Sequence, residues 1–486
     1  AVLDLLNDHL TEPGYIISQL CSGLVEVSPD MEVIPAIARS WEILDEGRRY
    51  VFHLDESARW SDGHPLTAAD FELAWRLILA PATAAFLAPD YYVIRGARAY
   101  HQGGAEAPAI RATAEHTLEI ELEAPATYFL ELVSTVVPVP GHCLEAYGQE
   151  WLAPAPLVTN GAFRLEHWEH GRSMTLVRNP YCRLPTAGNI ERIELAFNPL
   201  EDWQGSLARY EADALDVLDI GAIPTPAAQT IKGRHADEYR SWPSRGLYVL
   251  FLDCNRPPFD HPGVRRAFVH AIDREALAYE SLGGADSPAT GGLVPPSLRA
   301  HSPGIGLAYD PDLARRLLAE AGYPGGRGLP RIRCAVEYDR TAPAIGAYLQ
   351  QQWAAVLGVE SQWTDAGPAH VEGRAGNDEM QVTLIGVAWI YADPDTCMRL
   401  IPMTLGHLSH WQDPDYDRLV DESTRTLDRP RRFALLQRAD RILMEGAAVV
   451  PLVYPRLHLL VKPWVQRFIS FADFPPHLRH VVIEPH

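Results

Sequence analysis

The chain has 486 residues, a formal net charge of −21 at pH 7 and six cysteines. Its length predicts two or three domains, because a single hydrophobic core stops growing at roughly 250–300 residues. A hydrophobic content of 47% excludes a disordered chain, and the negative charge argues against nucleic acid and anionic membrane surfaces as partners of the whole molecule.

The sequence contains no stretch near the roughly 20 uninterrupted apolar residues that a membrane-spanning helix needs. It begins at Ala1 with neither an initiator Met nor a charged signal-peptide region, so we expect a processed or cut product. The cysteines are scattered without a CxxC or CxxxC pair. They predict neither a metal cage nor a redox motif, and any disulfide would be long-range.

The first half of the chain is predicted to mix strands and helices. A helix is expected around residues 16–24, and Tyr50, Phe52 and Leu54 form the buried face of a strand. Thr67 and Asp70 resemble a capping box. The helix that they open has an apolar stripe formed by Phe71, Ala74, Trp75 and Ile78. Strands at 163–165 and 174–177 are expected to pair.

The second half, from about residue 245, reads as an α/β region. Strands are predicted at 247–253, 331–337 and 381–388 and a long one at 449–461, which Pro451 and Pro455 interrupt. Helices are predicted after Pro262, after Asp310, and over 342–357, 413–424 and 430–444.

One stretch, residues 381–396, carries the strongest indication of a site. The apolar run QVTLIGVA is typical of a strand buried on both faces, and Trp389, Tyr391, Asp393 and Asp395 follow it. Open α/β sheets bind ligands at the carboxyl ends of their strands. The alternative is an ordinary strand–loop junction with a core tryptophan and a solvated turn.

Catalytic templates are missing from the sequence. It contains no GxxxxGK[ST], no GxGxxG after a strand, no HExxH and no GxSxG. The groups His407/His410 and His477/His480/His486 have metal-compatible spacings, but 19 histidines produce such spacings by chance. We therefore predict no catalytic residue, no metal site and no cofactor.

Aromatic residues at predicted strand ends and loops are the remaining candidates, and they favour a binding protein with an aromatic-lined cleft. For each of them core packing is the competing interpretation. The predicted ligand-binding residues are Trp389, Tyr391, Asp393, Tyr248, Tyr454, Phe86 and Tyr91.

Five spaced segments, in this order, resemble the family 5 solute-binding proteins of ABC transporters, of the oligopeptide-, dipeptide- and nickel-binding type. They lie at residues 41–71, 159–181, 251–275, 309–326 and 449–464. The resemblance covers essentially the whole chain. It implies an α/β fold of the periplasmic-binding-protein type II, with three lobes and a ligand cleft between domains I and III that closes by hinge bending. The implied domain I comprises 1–30, 157–245 and 451–486, domain II 31–156 and domain III 246–450.

The sequence departs from that family at the candidate site. Peptide binders often carry Trp-x-x-Asp to hold a ligand ammonium; here Ala392 stands at the aspartate position, Asp393 follows, and the loop is about two residues short. The family's first strand, before Leu3-Asp4, is missing as well. The departures predict a ligand other than a standard free-amino peptide.

Two functions from different classes follow. The first is the receptor subunit of an ABC importer: an extracytoplasmic monomer that binds a peptide-like or other small organic solute and docks on permease subunits. This chain is not expected to bind nucleic acid. The second is the ligand-sensing domain of a larger cytoplasmic transcriptional regulator, which the missing signal peptide and the unpaired cysteines motivate. An enzyme of this fold would lose turnover on Asp393→Asn.

Overall fold

The computed structural model of the chain describes residues 12–83, 85, 88–148, 151, 157–199, 202–221, 223–337, 339–371, 379–400, 405–469 and 477–486. These residues divide into two compact units. The first comprises residues 1–218, 390–392 and 461–486, and the second comprises 219–389 and 393–460. No described helix is both long enough and apolar enough to span a membrane.

The first unit is built from short helices and antiparallel sheets. Its helices are α1 (Glu12–Leu20), α2 (Ala68–Ile78), α3 (Ala97–His101), α4 (Phe129–Val133), α5 (Gly141–Tyr147) and α6 (Trp203–Glu211). Its strands are β1 (Val25–Val27), β2 (Val33–Pro35), β3 (Ala38–Leu44), β4 (Arg49–Leu54), β5 (Ile110–Ala114), β6 (Thr117–Glu121), β7 (Phe163–Glu169), β8 (Ser173–Arg178) and β9 (Arg192–Ala196). The strand β10 (Val217–Asp219) lies at the boundary of the two units.

A four-stranded sheet of order β3-β4-β6-β5 and a three-stranded sheet of order β7-β8-β9 form the framework of this unit. The predicted alternation in β4 is confirmed, since Tyr50, Phe52 and Leu54 are buried. The capping box at the start of α2 is also present, and the predicted apolar stripe of this helix is buried. Strands β7 and β8 pair as predicted.

The predicted helix at 16–24 ends earlier than expected, at Leu20. The backbone N–H of Ser22 donates to Asn160 Oδ1 over 3.1 Å instead of continuing the helix. Gly23 then passes so close to Val136 that an added Cβ would lie 2.7 Å from its carbonyl oxygen. Tertiary contacts therefore override the local helical pattern here.

The second unit contains a mixed six-stranded sheet flanked by helices. Its helices are α7 (Thr225–Arg234), α8 (Pro262–His270), α9 (Arg274–Ala276), α10 (Pro311–Glu320), α11 (Ala342–Leu357), α12 (Gly367–Val371), α13 (Asp395–Leu400), α14 (Gly406–Ser409), α15 (Pro414–Arg425) and α16 (Arg429–Gly446). Its strands are β11 (Tyr239–Pro243), β12 (Gly246–Leu252), β13 (Ser287–Pro288), β14 (Ile332–Val336), β15 (Ser361–Asp365), β16 (Val382–Ala388), β17 (Val449–Tyr454) and β18 (Arg456–Val461). Two short strands, β19 (Val465–Gln466) and β20 (Val482–Ile483), belong to the first unit.

The order of the six-stranded sheet is β13-β17-β12-β16-β14-β15. Strand β16 pairs antiparallel with β12 and parallel with β14, so it lies inside the sheet. Its residues Val382–Ile385 are buried, as the apolar run predicts. The predicted long strand at 449–461 is divided into β17 and β18 at Pro455. Pro451 stays within β17, where the pairing with β12 is irregular, because proline has no N–H to donate.

Candidate ligand-binding site

Three predicted aromatic residues lie at the same end of neighbouring strands in the six-stranded sheet. Strand β12 begins where β16 ends, since Gly246 pairs with Ala388, and Tyr248 pairs with Val453 near the end of β17. Trp389 follows Ala388, and Tyr454 ends β17. The fold thus brings Trp389, Tyr248 and Tyr454 to the ends of three neighbouring strands.

Trp389 is fully buried. Its indole Nε1 has no hydrogen-bond partner among the described residues, although no solvent reaches it. A buried tryptophan N–H normally finds an acceptor. The ring therefore presents an unused donor inside the second unit.

Tyr248 and Tyr454 are held by their hydroxyl groups. The Tyr248 side chain hydrogen-bonds with Thr341 and Asp339, and burial raises its pKa. Gly386, opposite Tyr248, leaves room for the ring, since an added Cβ would lie 3.1 Å from Tyr248 Cε1. Tyr454 donates to the carbonyl of Gly292 over 2.5 Å. Both hydroxyls are therefore already engaged.

Asp393 is buried and paired with Arg432 of α16. The two guanidinium NH groups donate to the two carboxylate oxygens, each over 2.6 Å, and both side chains are about 5% exposed. Asp393 Oδ1 also accepts the backbone N–H of Asp395 over 2.8 Å. The negative charge of Asp393 is thus neutralised within the protein.

Asp395 is fully buried and has its own guanidinium partner, Arg399, whose Nε lies 2.5 Å from Asp395 Oδ2. Burial raises the pKa of Asp395, and the charge of Arg399 opposes that rise. Neither Asp393 nor Asp395 is a solvated turn residue, so this part of the alternative interpretation is wrong.

The remaining predicted residues belong to the first unit or lie outside the described residues. Tyr391 is fully buried and its ring stacks on Tyr128, with ring centres 5.9 Å apart. Tyr91 is buried, its hydroxyl lies 2.7 Å from Thr135 Oγ1, and burial raises its pKa. Phe86 lies outside the described residues. Ligand binding by these residues stays a prediction.

Members of both histidine groups considered from the sequence make other contacts. His410 Nδ1 lies 2.8 Å from Asp253 Oδ1. The rings of His477 and His480 meet edge to face at 6.5 Å, and burial lowers the pKa of both. In the described part of the chain, neither group contributes to a cluster of three metal-ligating side chains.

Sequence reasoning missed two charged residues of α16, Arg432 and Asp440. Both are buried, and they fall in the helical series whose other members are Leu435, Leu436, Ala439 and Leu443. A charged residue in a series of apolar positions with period 3.6 needs a buried partner. That pattern is the signal that would have identified them.

The family model of the bacterial extracellular solute-binding proteins, family 5, matches residues 32–403. The chain belongs to this family. The probable deoxycholate-binding periplasmic protein of Escherichia coli (strain K12) is 31% identical over 477 residues, which cover 93% of this chain and 86% of that protein. The oligopeptide-binding protein of Bacillus subtilis (strain 168) is 26% identical over 482 residues, with 95% and 86% covered.

Solved structures agree with this assignment. A periplasmic oligopeptide-binding protein from Borrelia burgdorferi superimposes with a TM-score of 0.80 at 27% identity, covering 99% of this chain and 97% of that one. The murein tripeptide-binding protein of Escherichia coli gives the same TM-score at 24% identity, covering 100% and 97%, which is evidence of the fold alone. The chain therefore has the predicted type II periplasmic-binding-protein fold and is a solute-binding protein. The comparisons support the receptor interpretation and not the regulator alternative.

Proposed function

We propose that this chain is the extracytoplasmic receptor of an ABC importer and that its solute is a peptide-like or other small organic molecule bound without an ammonium anchor. We also propose that the receptor is a monomer, that it docks on permease subunits, and that it has the three lobes implied by the sequence. The names of similar proteins support this: the Borrelia burgdorferi protein is named a periplasmic oligopeptide-binding protein and oligopeptide ABC transporter, and the Escherichia coli relative a probable deoxycholate-binding periplasmic protein.

The observation that carries the ligand class is the pairing of Asp393 with Arg432. A carboxylate that accepts two short charge-assisted hydrogen bonds from a buried guanidinium has its negative charge already compensated, so it binds a ligand cation only weakly. At the same strand end, the indole N–H of Trp389 has no acceptor among the described residues and can serve as a donor. We therefore propose that Trp389 donates to a carbonyl, hydroxyl or carboxylate oxygen of the solute, with Tyr248 and Tyr454 as neighbouring aromatic surface.

Thermal unfolding with a solute library tests this proposal. A solute at 100 times its Kd stabilises a protein by about 2.7 kcal/mol, which is roughly 5 °C or more for units of this size. Peptides are supplied in pairs, with a free and with an acetylated amino terminus, beside bile acids and other amphiphiles. We expect the members of an active pair to bind within about threefold of each other, because Asp393 is already paired with Arg432 and does not bind the ammonium. A preference of tenfold or more for the free-amino member would contradict the proposal.

The Trp389→Phe variant tests the donor itself. It keeps an aromatic ring but removes the N–H together with part of the indole, so we expect a roughly 3- to 10-fold loss of solute affinity from the lost hydrogen bond. Trp75→Phe is the matched control, because Trp75 also has a buried Nε1 without a hydrogen-bond partner among the described residues and belongs to the first unit. An equal loss of solute affinity in the two variants would contradict the proposal that Trp389 donates to the solute.

A further inference from the structure

Three metal-ligating side chains meet on the surface of the first unit. Asp62 and His64 belong to the turn before α2, and His142 is the second residue of α5. Asp62 Oδ2 lies 2.8 Å from His142 Nε2 and 3.0 Å from His64 Nδ1. The two imidazole rings stack with centres 4.2 Å apart. All three ligand atoms lie within 4.8 Å of one another.

The turn that carries Asp62 and His64 is fixed by its own hydrogen bonds. Asp62 Oδ1 accepts the backbone N–H of His64 over 3.1 Å, which leaves Oδ2 directed at the two rings. The backbone N–H of Trp60 donates to the carbonyl of His64, and Gly63 adopts a φ of +92° between the two ligands. The spacing Asp-Gly-His therefore places both side chains on one side of the turn.

A single buried carboxylate joins this turn to the helix that carries His142. Asp70 Oδ1 accepts the backbone N–H of Gly141 at the start of α5, over 3.2 Å. Asp70 Oδ2 accepts the indole N–H of Trp60 over 3.3 Å. Asp70 thus anchors both segments, and the positions of the two histidines relative to each other are set by a residue outside the cluster.

The spacing of the donor atoms fits a metal ion. Zn²⁺ binds histidine nitrogen and carboxylate oxygen at about 2.0–2.2 Å, so in a tetrahedral site neighbouring ligand atoms are about 3.3 Å apart. The nitrogen–oxygen separations of 2.8 and 3.0 Å are close to that value. Two imidazoles and one carboxylate also form a donor set that favours Zn²⁺ and similar ions over Ca²⁺ and Mg²⁺, which prefer oxygen ligands.

We propose that Asp62, His64 and His142 form a surface site for a divalent transition-metal ion such as Zn²⁺. The side chains of Asp62, His64 and His142 are 30%, 60% and 29% exposed, so an ion reaches them from solvent. Three protein ligands leave at least one position for water. A bound ion would link the turn before α2 to α5, and would stabilise the first unit because the unfolded chain does not hold the three ligands together.

The test is a calorimetric titration of the full, tag-free, metal-stripped chain with Zn²⁺ at pH 7.5. The variants are His64→Gln and His142→Gln, each of which removes one ligand from a side chain that solvent reaches. The control is His53→Gln, because His53 is also on the surface and lies 2.8 Å from one carboxylate, that of Glu42, but outside the cluster. Visible absorption of bound Co²⁺ provides a second readout of the coordination.

We expect one site whose affinity falls at least tenfold in His64→Gln and in His142→Gln and is unchanged in His53→Gln. Ca²⁺ and Mg²⁺ at the same concentration should not compete. An affinity that stays the same in both cluster variants would overturn the proposal, as would an equal loss in the control, because scattered surface histidines would then account for the binding.

Discussion

The buried pair of Asp393 and Arg432 allows a quantitative prediction about stability. Each guanidinium–carboxylate hydrogen bond is 2.6 Å long, and solvent reaches only about 5% of either side chain, so screening by water is weak. A hydrogen bond to a charged group contributes about 1.5–3 kcal/mol. Breaking a buried pair from one side costs about 3–5 kcal/mol, because the other charge stays buried without its partner. We therefore expect Asp393→Asn to lower the free energy of unfolding by about 3–5 kcal/mol.

The assay is urea unfolding followed by tryptophan fluorescence and far-UV circular dichroism. Asp421→Asn is the matched control: it neutralises the partner of Arg425, 2.8 Å away, in a pair whose side chains are 58% and 61% exposed. Such surface pairs contribute about 0.3–0.5 kcal/mol. The double variant Asp393→Leu/Arg432→Met should recover most of the loss, since it leaves no buried charge behind. If Asp393→Asn costs no more than Asp421→Asn, the assignment of Asp393 as a neutralised structural carboxylate is wrong, and with it the argument against an ammonium anchor.

Three further predictions concern other buried groups. Burial raises the pKa of Asp440 from 3.8 to about 7, so the folded state holds the proton of this carboxyl more tightly and the protein loses stability as the pH rises between these values. We expect the free energy of unfolding, measured by urea titration, to shift in favour of Asp440→Asn relative to wild type by roughly 4 kcal/mol from pH 4 to pH 8. A difference that stays constant with pH would contradict this prediction. Asp70→Ala leaves the N–H donors of Trp60 and Gly141 without their acceptor and should lower the unfolding free energy by roughly 2–4 kcal/mol, whereas a loss below 1 kcal/mol would show that water replaces the carboxylate. Gly161→Ala places a Cβ 2.5 Å from a backbone atom of Leu20 and should prevent stable folding of the first unit, seen as a lost thermal transition. Gly233→Ala in the second unit, whose added Cβ has no described neighbour within 4 Å outside the backbone of its own helix, should leave that transition unchanged.

Much of the fold follows from local patterns in the sequence. The alternation in β4, the capping box of α2 and the helix at Ala342–Leu357 are each encoded within a few neighbouring residues. The run Val382–Ala388 forms an internal strand because its residues are apolar and partly β-branched. The family resemblance also depended on sequence alone, since the spaced segments identify the chain before any contact is known.

The candidate site shows what sequence could not provide. That Trp389 and Tyr391 follow a buried strand is visible in the sequence, but the partners of Asp393 and Asp395 are not. Arg432 lies 39 residues beyond Asp393 along the chain, and nothing in the local pattern of either segment specifies the other. The structure pairs both carboxylates with arginine side chains, Arg432 and Arg399.

The family, most of the secondary structure and the aromatic character of the strand ends could therefore be predicted from the sequence, because these depend on short-range periodicity and composition. Packing in three dimensions fixes which charges are neutralised, leaves the indole N–H of Trp389 without an acceptor among the described residues, and brings Asp62, His64 and His142 together. The pairs Asp393–Arg432 and Asp62–His142 join residues 39 and 80 positions apart, and only the packing of the chain fixes their distances.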